Sequence, residues 1–136
     1  MIGIDAERTT CGAITARSPT TTPSTTTARE PTREELLRLG PLVERHPRFP
    51  ERTNVQLVRP DGDGDLTVLV WERGAGETLS SGSSASAAAA AAVVHGWCLS
   101  PVRVHLPGGT VTVDIREGRA ILSGPVVEIA LGETVS

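Results

Sequence analysis

The sequence predicts an α+β domain in which an antiparallel, barrel-like sheet wraps around one central helix. Segments that alternate apolar and polar residues lie on both sides of a single alanine-rich segment, residues 85–94. Alternation with a period of two is typical of a strand with one buried face. The alanine-rich segment is a strong helix former. It has few polar positions to turn toward water, which predicts a helix that is enclosed on all sides.

The alternating segments predict at least five or six strands. Residues 54–58 and 65–71 flank the turn sequence PDGDGD and are predicted to form a hairpin. Four further segments follow the central helix, with short breaks that contain glycine or proline between them. These segments are VRVHL, TVTVDI, RAILS and VVEIAL.

A short helix is predicted before the first of these strands. Thr32 can act as its N-cap, and Glu35 stands three residues later, as in a capping box. Gly40 is the expected stop signal, because glycine commonly ends a helix.

The N-terminal part of the chain differs in composition from the rest. Residues 18–31 combine repeated threonines with prolines and almost no large apolar side chain, so burial cannot offset the entropy of ordering them. They are predicted to be a disordered linker, and the residues before them show no clear period. The predicted organisation is a disordered, low-complexity segment at 1–31 and one folded domain at 32–136.

Composition limits the classes of partner. The net charge is −3, the thirteen basic residues are scattered and the aromatic residues are few, so nucleic acid is not an expected partner. The longest apolar stretch, near residues 87–94, is far shorter than the roughly 20 residues that span a bilayer. No membrane partner is predicted, and the expected location is the cytoplasm. Cys11 and Cys98 lack the spacing of a metal site or a disulfide scaffold, and Cys98 is expected in the core.

The start of the central helix is the first candidate site. Its N-terminus falls near residues 82–84, where unpaired backbone N–H groups and the positive end of the helix dipole favour a carboxylate or a phosphate. Serines at a helix start are also ordinary capping residues. The pair Glu72 and Arg73 is equally ambiguous by itself, since charged pairs at strand ends are commonly solvated.

Four segments occur in the order found in the diaminopimelate epimerases, and the chain resembles that family from about residue 37 to residue 133. The segments are LGPLVERHPRFPERTNV, VWERGAGET with the serine-rich helix start after it, VHLPGGTVTV and SGPVVEI. The resemblance implies an enzyme of lysine and peptidoglycan biosynthesis that uses no pyridoxal phosphate, metal or other cofactor. It implies a small amino-acid substrate, diaminopimelate, which such enzymes convert from the LL to the meso form by proton transfer at the α-carbon.

The family resemblance also implies roles for individual residues. Members of the family have two similar halves, and each half supplies one cysteine that faces the α-carbon, one as base and one as acid. The present chain resembles the second half. The resemblance assigns substrate binding to Asn54, to Glu72 and Arg73, which match the pair that binds the charged ends, and to Gly82 and Ser83, which match the donors of the helix cradle.

Ser81 stands where the family has its catalytic cysteine. A helix N-terminus can make a thiolate from a thiol, whose ordinary pKa is about 8.5, whereas a hydroxyl needs an adjacent base. No such base is adjacent to Ser81 in the sequence, and Ser84 replaces the second glycine of the family motif. The resemblance therefore implies a truncated and impaired epimerase that is inactive as an isolated chain.

Two alternatives stay open at this point. One is a non-catalytic half domain that binds an amino-acid carboxylate or a partner chain, and the other is a related isomerase with changed chemistry. Half of a two-half protein is expected to expose an open sheet edge, which invites pairing with another chain. A missing first half or a second copy of the chain is therefore the expected partner.

Overall fold

A computed structural model of the protein has an α+β fold, as predicted, and describes residues 6–9, 13–17 and 30–132. Within these residues, eight strands form one sheet and two helices pack against it. The elements in chain order are β1 (Ala6–Thr9), β2 (Ala13–Arg17), α1 (Arg33–Glu44), β3 (Asn54–Pro60), β4 (Asp65–Glu72), β5 (Gly76–Thr78), α2 (Gly82–Val94), β6 (Val102–Leu106), β7 (Gly109–Arg116) and β8 (Arg119–Ser123).

The sheet is mixed and open. Its order is β1-β2-β3-β4-β6-β7-β8, and β5 pairs with β4 beside this path. The pairs β2–β3 and β4–β6 are parallel and the others are antiparallel. Most of the sheet is therefore antiparallel, as predicted, and the two parallel pairs correct that prediction. The chain between β4 and β6 includes α2, and a parallel pair requires such a crossover.

The predicted hairpin is confirmed by β3 and β4, which pair in register from Val55 opposite Trp71 to Pro60 opposite Leu66. This pairing gives each strand two distinct faces, because successive side chains point to opposite sides. Val58 and the alternate β4 residues Leu66, Val68 and Val70 belong to the core around α2, whereas Leu57 packs with Leu36 of α1. The two helices therefore cover opposite faces of this hairpin.

Helix α2 is enclosed by the sheet, as predicted. It contacts strands from both ends of the sheet, including β1, β2, β7 and β8. Its small side chains allow strands to approach the helix closely on several sides, and such close packing is normal for protein interiors. The buried residues of α2 are Ser84, Ala85, Ala87, Ala88, Ala89, Ala91 and Ala92.

Helix α1 has the predicted start but not the predicted end. The Thr32 side chain accepts a hydrogen bond from the Glu35 amide at 3.2 Å, and the Glu35 carboxylate accepts one from the Thr32 amide at 3.1 Å. The helix continues through Gly40 and Pro41 to Glu44, so Gly40 is not a stop. A β-carbon at Gly40 would lie 2.5 Å from Cγ of Trp71, which shows that this glycine serves helix–sheet packing.

The last predicted strand, VVEIAL, is absent from the structure. Residues 124–132 have no regular secondary structure, and Val126 and Ile129 are each 94% exposed. An alternating sequence supplies strand propensity, but a strand forms only with a neighbour whose backbone it can pair with. Conversely, the three-residue strand β5 was not predicted, because its sequence, GET, carries no alternating apolar signal.

The segment 1–31, which was predicted to be disordered, is described only at residues 6–9, 13–17 and 30–31. Strands β1 and β2 lie inside segment 1–31, and β2 pairs with β3, which the sequence analysis did not anticipate. The predicted linker 18–31 lies almost entirely outside the described residues, and so does Cys11. The division of the chain between residues 31 and 32 stays a prediction.

Cys98 lies in the core, as expected, with 2% of its surface exposed. Burial raises the pKa of its thiol, and the neighbouring aspartates act in the same direction. In the part of the chain that the structure describes, neither helix is long and apolar enough to cross a membrane.

Candidate functional site

The turn between β4 and β5 positions Glu72 and Arg73. The two strands pair antiparallel with Glu72 opposite Gly76, and the chain reverses through Arg73, Gly74 and Ala75. Gly74 has φ 78° and Gly76 has φ 83°, a region that residues with a β-carbon rarely adopt. Two glycines therefore permit a tight reversal that leaves Arg73 exposed at its tip.

Asn54 is attached to this turn. The backbone N–H of Arg73 donates to Oδ1 of Asn54 at 2.7 Å, and Nη1 of Arg73 donates to the carbonyl of Glu51 at 3.0 Å. Because the group that meets the Asn54 side chain is an N–H donor, the accepting atom is the amide oxygen, and the Nδ2 group is directed elsewhere as a donor. The structure thus brings together two of the predicted site residues, and both offer donors that suit a carboxylate.

Glu72 is held within the β4–β5 hairpin. Thr78 Oγ1 donates to its carboxylate at 3.3 Å and also contacts the Gly76 carbonyl at 3.2 Å. Among the ion pairs of the described residues there is none between Glu72 and Arg73. Within the described residues, these two side chains therefore do not form a salt bridge with each other.

The first turn of α2 carries the remaining predicted residues. Ser81 is the N-cap, with extended φ −152° and ψ 118°, and its side chain accepts from the Ser84 amide at 3.4 Å. Gly82 and Ser83 follow it and are exposed. Their backbone N–H groups have no partner inside the helix, as in any first turn. A β-carbon at Gly82 would lie 3.1 Å from Leu122 of β8, so the glycine keeps this helix start close to the sheet.

A buried contact joins α2 to β3. Nε2 of Gln56 donates to Oγ of Ser84 at 3.1 Å, and these two side chains are 0% and 1% exposed. Asn54 lies two residues before Gln56 and therefore points to the same face of β3. Glu72 lies two residues after Val70, which faces α2. The predicted residues Asn54 and Glu72 thus share the sheet face that meets α2.

Sequence reasoning missed Gln56. In the segment NVQLV it occupies the polar position of the alternation, which predicts an outward side chain. The signal that was available is its spacing of two from Asn54, because a strand places such residues on one face.

Comparison with known proteins shows the family of the chain. The family model for diaminopimelate epimerase matches residues 26–129, which is more than half of the chain. The chain belongs to the diaminopimelate epimerase family. Similar curated proteins include the diaminopimelate epimerases of Heliobacterium modesticaldum, 43% identical over 97 residues, and of Paraburkholderia xenovorans, 45% identical over 102 residues.

These matches cover most of this chain but only part of each relative. They include 70% of the chain and 34% of the Heliobacterium protein, and 72% of the chain and 36% of the Paraburkholderia protein. The chain therefore spans about a third of the length of the curated epimerases that it matches.

The hydroxyl of Ser81 serves the helix in this member of the epimerase family. Besides the Ser84 amide, it lies 3.3 Å from Oγ of Ser83. No histidine, arginine or carboxylate side chain of residues 30–132 is hydrogen-bonded to it. Ser86, one turn further along α2, donates its hydroxyl to the Gly82 carbonyl at 2.9 Å. The described groups around Ser81 thus support capping, and none of the side chains hydrogen-bonded to its hydroxyl is a general base.

Glu44 is a second residue that sequence reasoning did not nominate. It is the last residue of α1, and only 3% of it is exposed. Its carboxylate accepts from Trp71 Nε1 at 2.7 Å and from the Gly74 amide at 3.0 Å. The hydrogen bond from Trp71, followed by that from Gly74, holds the pKa of Glu44 below its ordinary range, although burial acts in the opposite direction.

Residues 30–132 contain no group of three or more histidine, cysteine, aspartate or glutamate side chains with the geometry of a metal site. The chemistry that the site offers in this region consists of hydrogen-bond donors, one arginine, one glutamate and a helix N-terminus.

Proposed function

We propose that this chain is a diaminopimelate epimerase-like protein that binds diaminopimelate at the sheet face shared by Asn54, Glu72 and the start of α2. We further propose that the isolated chain does not exchange the substrate α-proton. The observation that carries the proposal is that Ser81, the residue that the resemblance aligns with the family's cysteine, is the N-cap of α2.

Substrate binding is proposed at two ends. The α-carboxylate lies at the α2 N-terminus, where the N–H groups of Gly82 and Ser83 and the helix dipole favour negative charge. The distal carboxylate lies at Arg73, whose guanidinium can grip it in bidentate fashion, with Nδ2 of Asn54 as a further donor. Glu72 is then the acceptor for a substrate ammonium group. The donors at the two ends of the site suit the two carboxylates of diaminopimelate, and Glu72 suits one of its ammonium groups.

Proton transfer is the step that the chain is proposed to lack. Removal of an α-proton needs a base, and a cysteine at a helix N-terminus can serve as a thiolate at neutral pH. The pKa of a hydroxyl is far higher, and the hydroxyl of Ser81 contacts another hydroxyl and an amide instead of a base. Ser81 would therefore lie near the bound substrate without removing its α-proton. As in the resemblance, the proposed reaction of the complete system uses no cofactor and takes place in the cytoplasm.

A partner chain is part of the proposal. A complementary first half or a second copy of this chain would pair with the open sheet, whose end strand β8 is exposed along all five residues. The apolar side chains of residues 126–131 add to this surface. Light scattering tests this part, and a monodisperse monomer at high concentration would count against it.

Hydrogen exchange at the substrate tests the catalytic proposal. Diaminopimelate is incubated with the protein in deuterated water, and loss of the α-proton signal is followed by NMR. We expect no exchange with the wild-type chain. Exchange by Ser81→Cys, but not by Ser86→Cys, would show that the site is intact and lacks only its thiol. The second variant is the matched control, because it places a thiol on the same helix at another position.

Binding is measured separately by calorimetry with diaminopimelate. Arg73→Ala should abolish binding, whereas Arg38→Ala, an exposed arginine of α1, should leave it unchanged. Exchange by the wild-type chain would refute its proposed inactivity. If neither the wild type nor Ser81→Cys binds diaminopimelate, the substrate proposal fails.

The alternative of a non-catalytic carboxylate-binding half domain is favoured by the same capping geometry of Ser81. It predicts binding of amino-acid carboxylates that is retained in Ser81→Ala. It also predicts that Ser81→Cys gains no exchange, even when a first half from a family member is added.

A further inference from the structure

Glu44 lies on the face of the β3–β4 hairpin that is remote from the proposed substrate. Trp71 packs against the cluster of Leu36 and Leu57 beneath α1, and Glu44 accepts from the indole N–H at the end of that helix. The carboxylate is nearly fully buried. A buried carboxylate is costly unless it is hydrogen-bonded. This carboxylate accepts from one side chain and one backbone amide, so its place in the fold is specific.

The second bond of Glu44 reaches the turn that carries the proposed ligand-binding arginine. Oε1 accepts from the Gly74 amide at 3.0 Å, and the amide of the preceding residue, Arg73, donates to Asn54 at 2.7 Å. Successive N–H groups of one turn are therefore fixed in two different directions. The N–H of Gly74 is fixed by the buried carboxylate of Glu44, and the N–H of Arg73 is fixed by the side chain of Asn54, which is proposed to touch the substrate.

These contacts form a closed network that joins Glu44, the turn at Arg73 and Gly74, and the loop that contains Glu51 and Arg52. Nη1 of Arg52 lies 3.6 Å from Oε1 of Glu44, and Arg73 donates to the carbonyl of Glu51 at 3.0 Å. The loop that ends at Asn54 and the turn at Arg73 are thus tied to each other directly and again through Glu44. Arg52 has φ 61°, a conformation that is uncommon for a residue with a side chain, so this loop depends on its contacts for its shape.

We propose that Glu44 is a positioning residue that sets the geometry of Asn54 and Arg73 for the distal carboxylate of the ligand. It touches no ligand itself. The inference rests on the proposed function for the identity of the ligand, but the geometry that it invokes exists in the protein alone.

A carboxylate is required at this position because both groups that it meets are donors. Glutamine has one acceptor oxygen and one NH₂ group, so it would satisfy either the Trp71 indole or the Gly74 amide and oppose the other. The group left unsatisfied is then either the core indole or the turn amide, so in each case one of the two hydrogen bonds that tie the end of α1 to this region is lost. Aspartate keeps both oxygens, but it is shorter by one methylene and cannot reach both donors from the same backbone.

The test compares Glu44→Gln and Glu44→Asp with Glu34→Gln. Glu34 is an exposed glutamate in the first turn of the same helix, so its substitution removes one charge from α1 without changing a contact of Glu44. Affinity is measured by calorimetry for diaminopimelate and for alanine, which has an α-amino carboxylate and no distal end. In parallel, ¹H–¹⁵N NMR records the Trp71 indole, the Gly74 amide and the Asn54 side-chain amide.

We expect both Glu44 variants to bind diaminopimelate about tenfold more weakly or worse, whereas Glu34→Gln binds as the wild type does. The affinity for alanine should change by less than about twofold, since alanine uses only the helix start. A general loss of structure would instead lower the affinity for both ligands. Equal weakening of both, or an unchanged affinity for diaminopimelate, would overturn the proposal. If Glu44→Gln does not fold, Glu44→Asp supplies the same comparison.

The NMR measurement separates this inference from the proposed function. If the wild type binds neither ligand, the proposed function fails, and the positioning role is decided by the Asn54 signals alone. Movement of these signals in both Glu44 variants but not in Glu34→Gln supports it. An unchanged Asn54 side chain beside a shifted Trp71 indole refutes it.

Discussion

The contact between Gly40 and Trp71 leads to a prediction whose sign differs from that of simple helix propensity. Gly40 lies in the interior of α1, and glycine there is less favourable than alanine by about 1 kcal/mol. Propensity alone therefore predicts that Gly40→Ala stabilises the protein. The structure predicts the opposite, because the new methyl group would lie 2.5 Å from Cγ and from Cδ2 of Trp71.

The cost follows from what holds the indole in place. Cγ and Cδ2 are at the base of the ring, so the whole side chain must move, and overpacking of this kind costs about 1–3 kcal/mol. Movement of the ring also breaks its 2.7 Å hydrogen bond to the Glu44 carboxylate, and a bond to a charged group contributes about 1.5–3 kcal/mol. With the propensity gain subtracted, Gly40→Ala should lower the free energy of unfolding by about 1.5–5 kcal/mol.

Urea unfolding monitored by circular dichroism measures this change, and a double-mutant cycle with Trp71→Leu supplies the control. In the Trp71→Leu background the collision with the indole is removed. Gly40→Ala should then be neutral or stabilising by up to about 1 kcal/mol. The reasoning is refuted if Gly40→Ala is as stable as the wild type in the native background, or if the two backgrounds give the same change.

Three further predictions concern the same framework. The pKa of Glu44 is lowered in the folded state. The ionised carboxylate therefore stabilises the fold fully above its ordinary pKa of about 4.3, and this contribution is lost as the pH falls through the lower folded value. When unfolding is measured between neutral and acidic pH, Glu44→Gln should lose less free energy of unfolding than the wild type. Thr32→Ala removes the capping side chain of α1 and should cost about 1 kcal/mol in urea unfolding, with Thr32→Ser close to the wild type. Ala88→Leu inserts a large side chain at a fully buried position of α2 and should cost about 1–3 kcal/mol or more; the same change at the partly exposed Ala90 should cost less, and equal thermal shifts would contradict the enclosed helix.

Local signals were sufficient to predict those elements whose cause is local. The capping box of α1 involves two residues three positions apart, and the structure has both of its hydrogen bonds. The β3–β4 hairpin follows from alternation on both sides of a turn sequence. Helix α2 follows from residues 85–94, of which nine are alanine or valine and one is serine. The small volume of these side chains also predicts enclosure.

The features that could not be predicted depend on contacts between distant parts of the chain. Gly40 has the sequence signature of a helix end, but its role is set by Trp71, thirty-one positions later in the chain. Gln56 has the sequence pattern of a surface residue, but it is buried and donates to Ser84, twenty-eight positions later in the chain. The parallel pairing of β4 with β6 depends on where α2 delivers the chain. Residues 126–131 have the pattern of a strand but no paired neighbour in the described structure.

Position 81 joins the demands of folding and of chemistry in one residue. Serine is among the best N-cap residues, and its oxygen satisfies an amide that the helix leaves unpaired. A thiol is a weaker acceptor, but it is the group that a helix N-terminus can convert into a base. Serine at position 81 therefore favours the start of α2 and disfavours proton transfer at the same point. Gly82 and Ser83 are proposed to bind a carboxylate through their backbone N–H groups, and Ser81→Cys leaves these groups in the chain. We therefore predict that Ser81→Cys affects proton transfer more than it affects carboxylate binding.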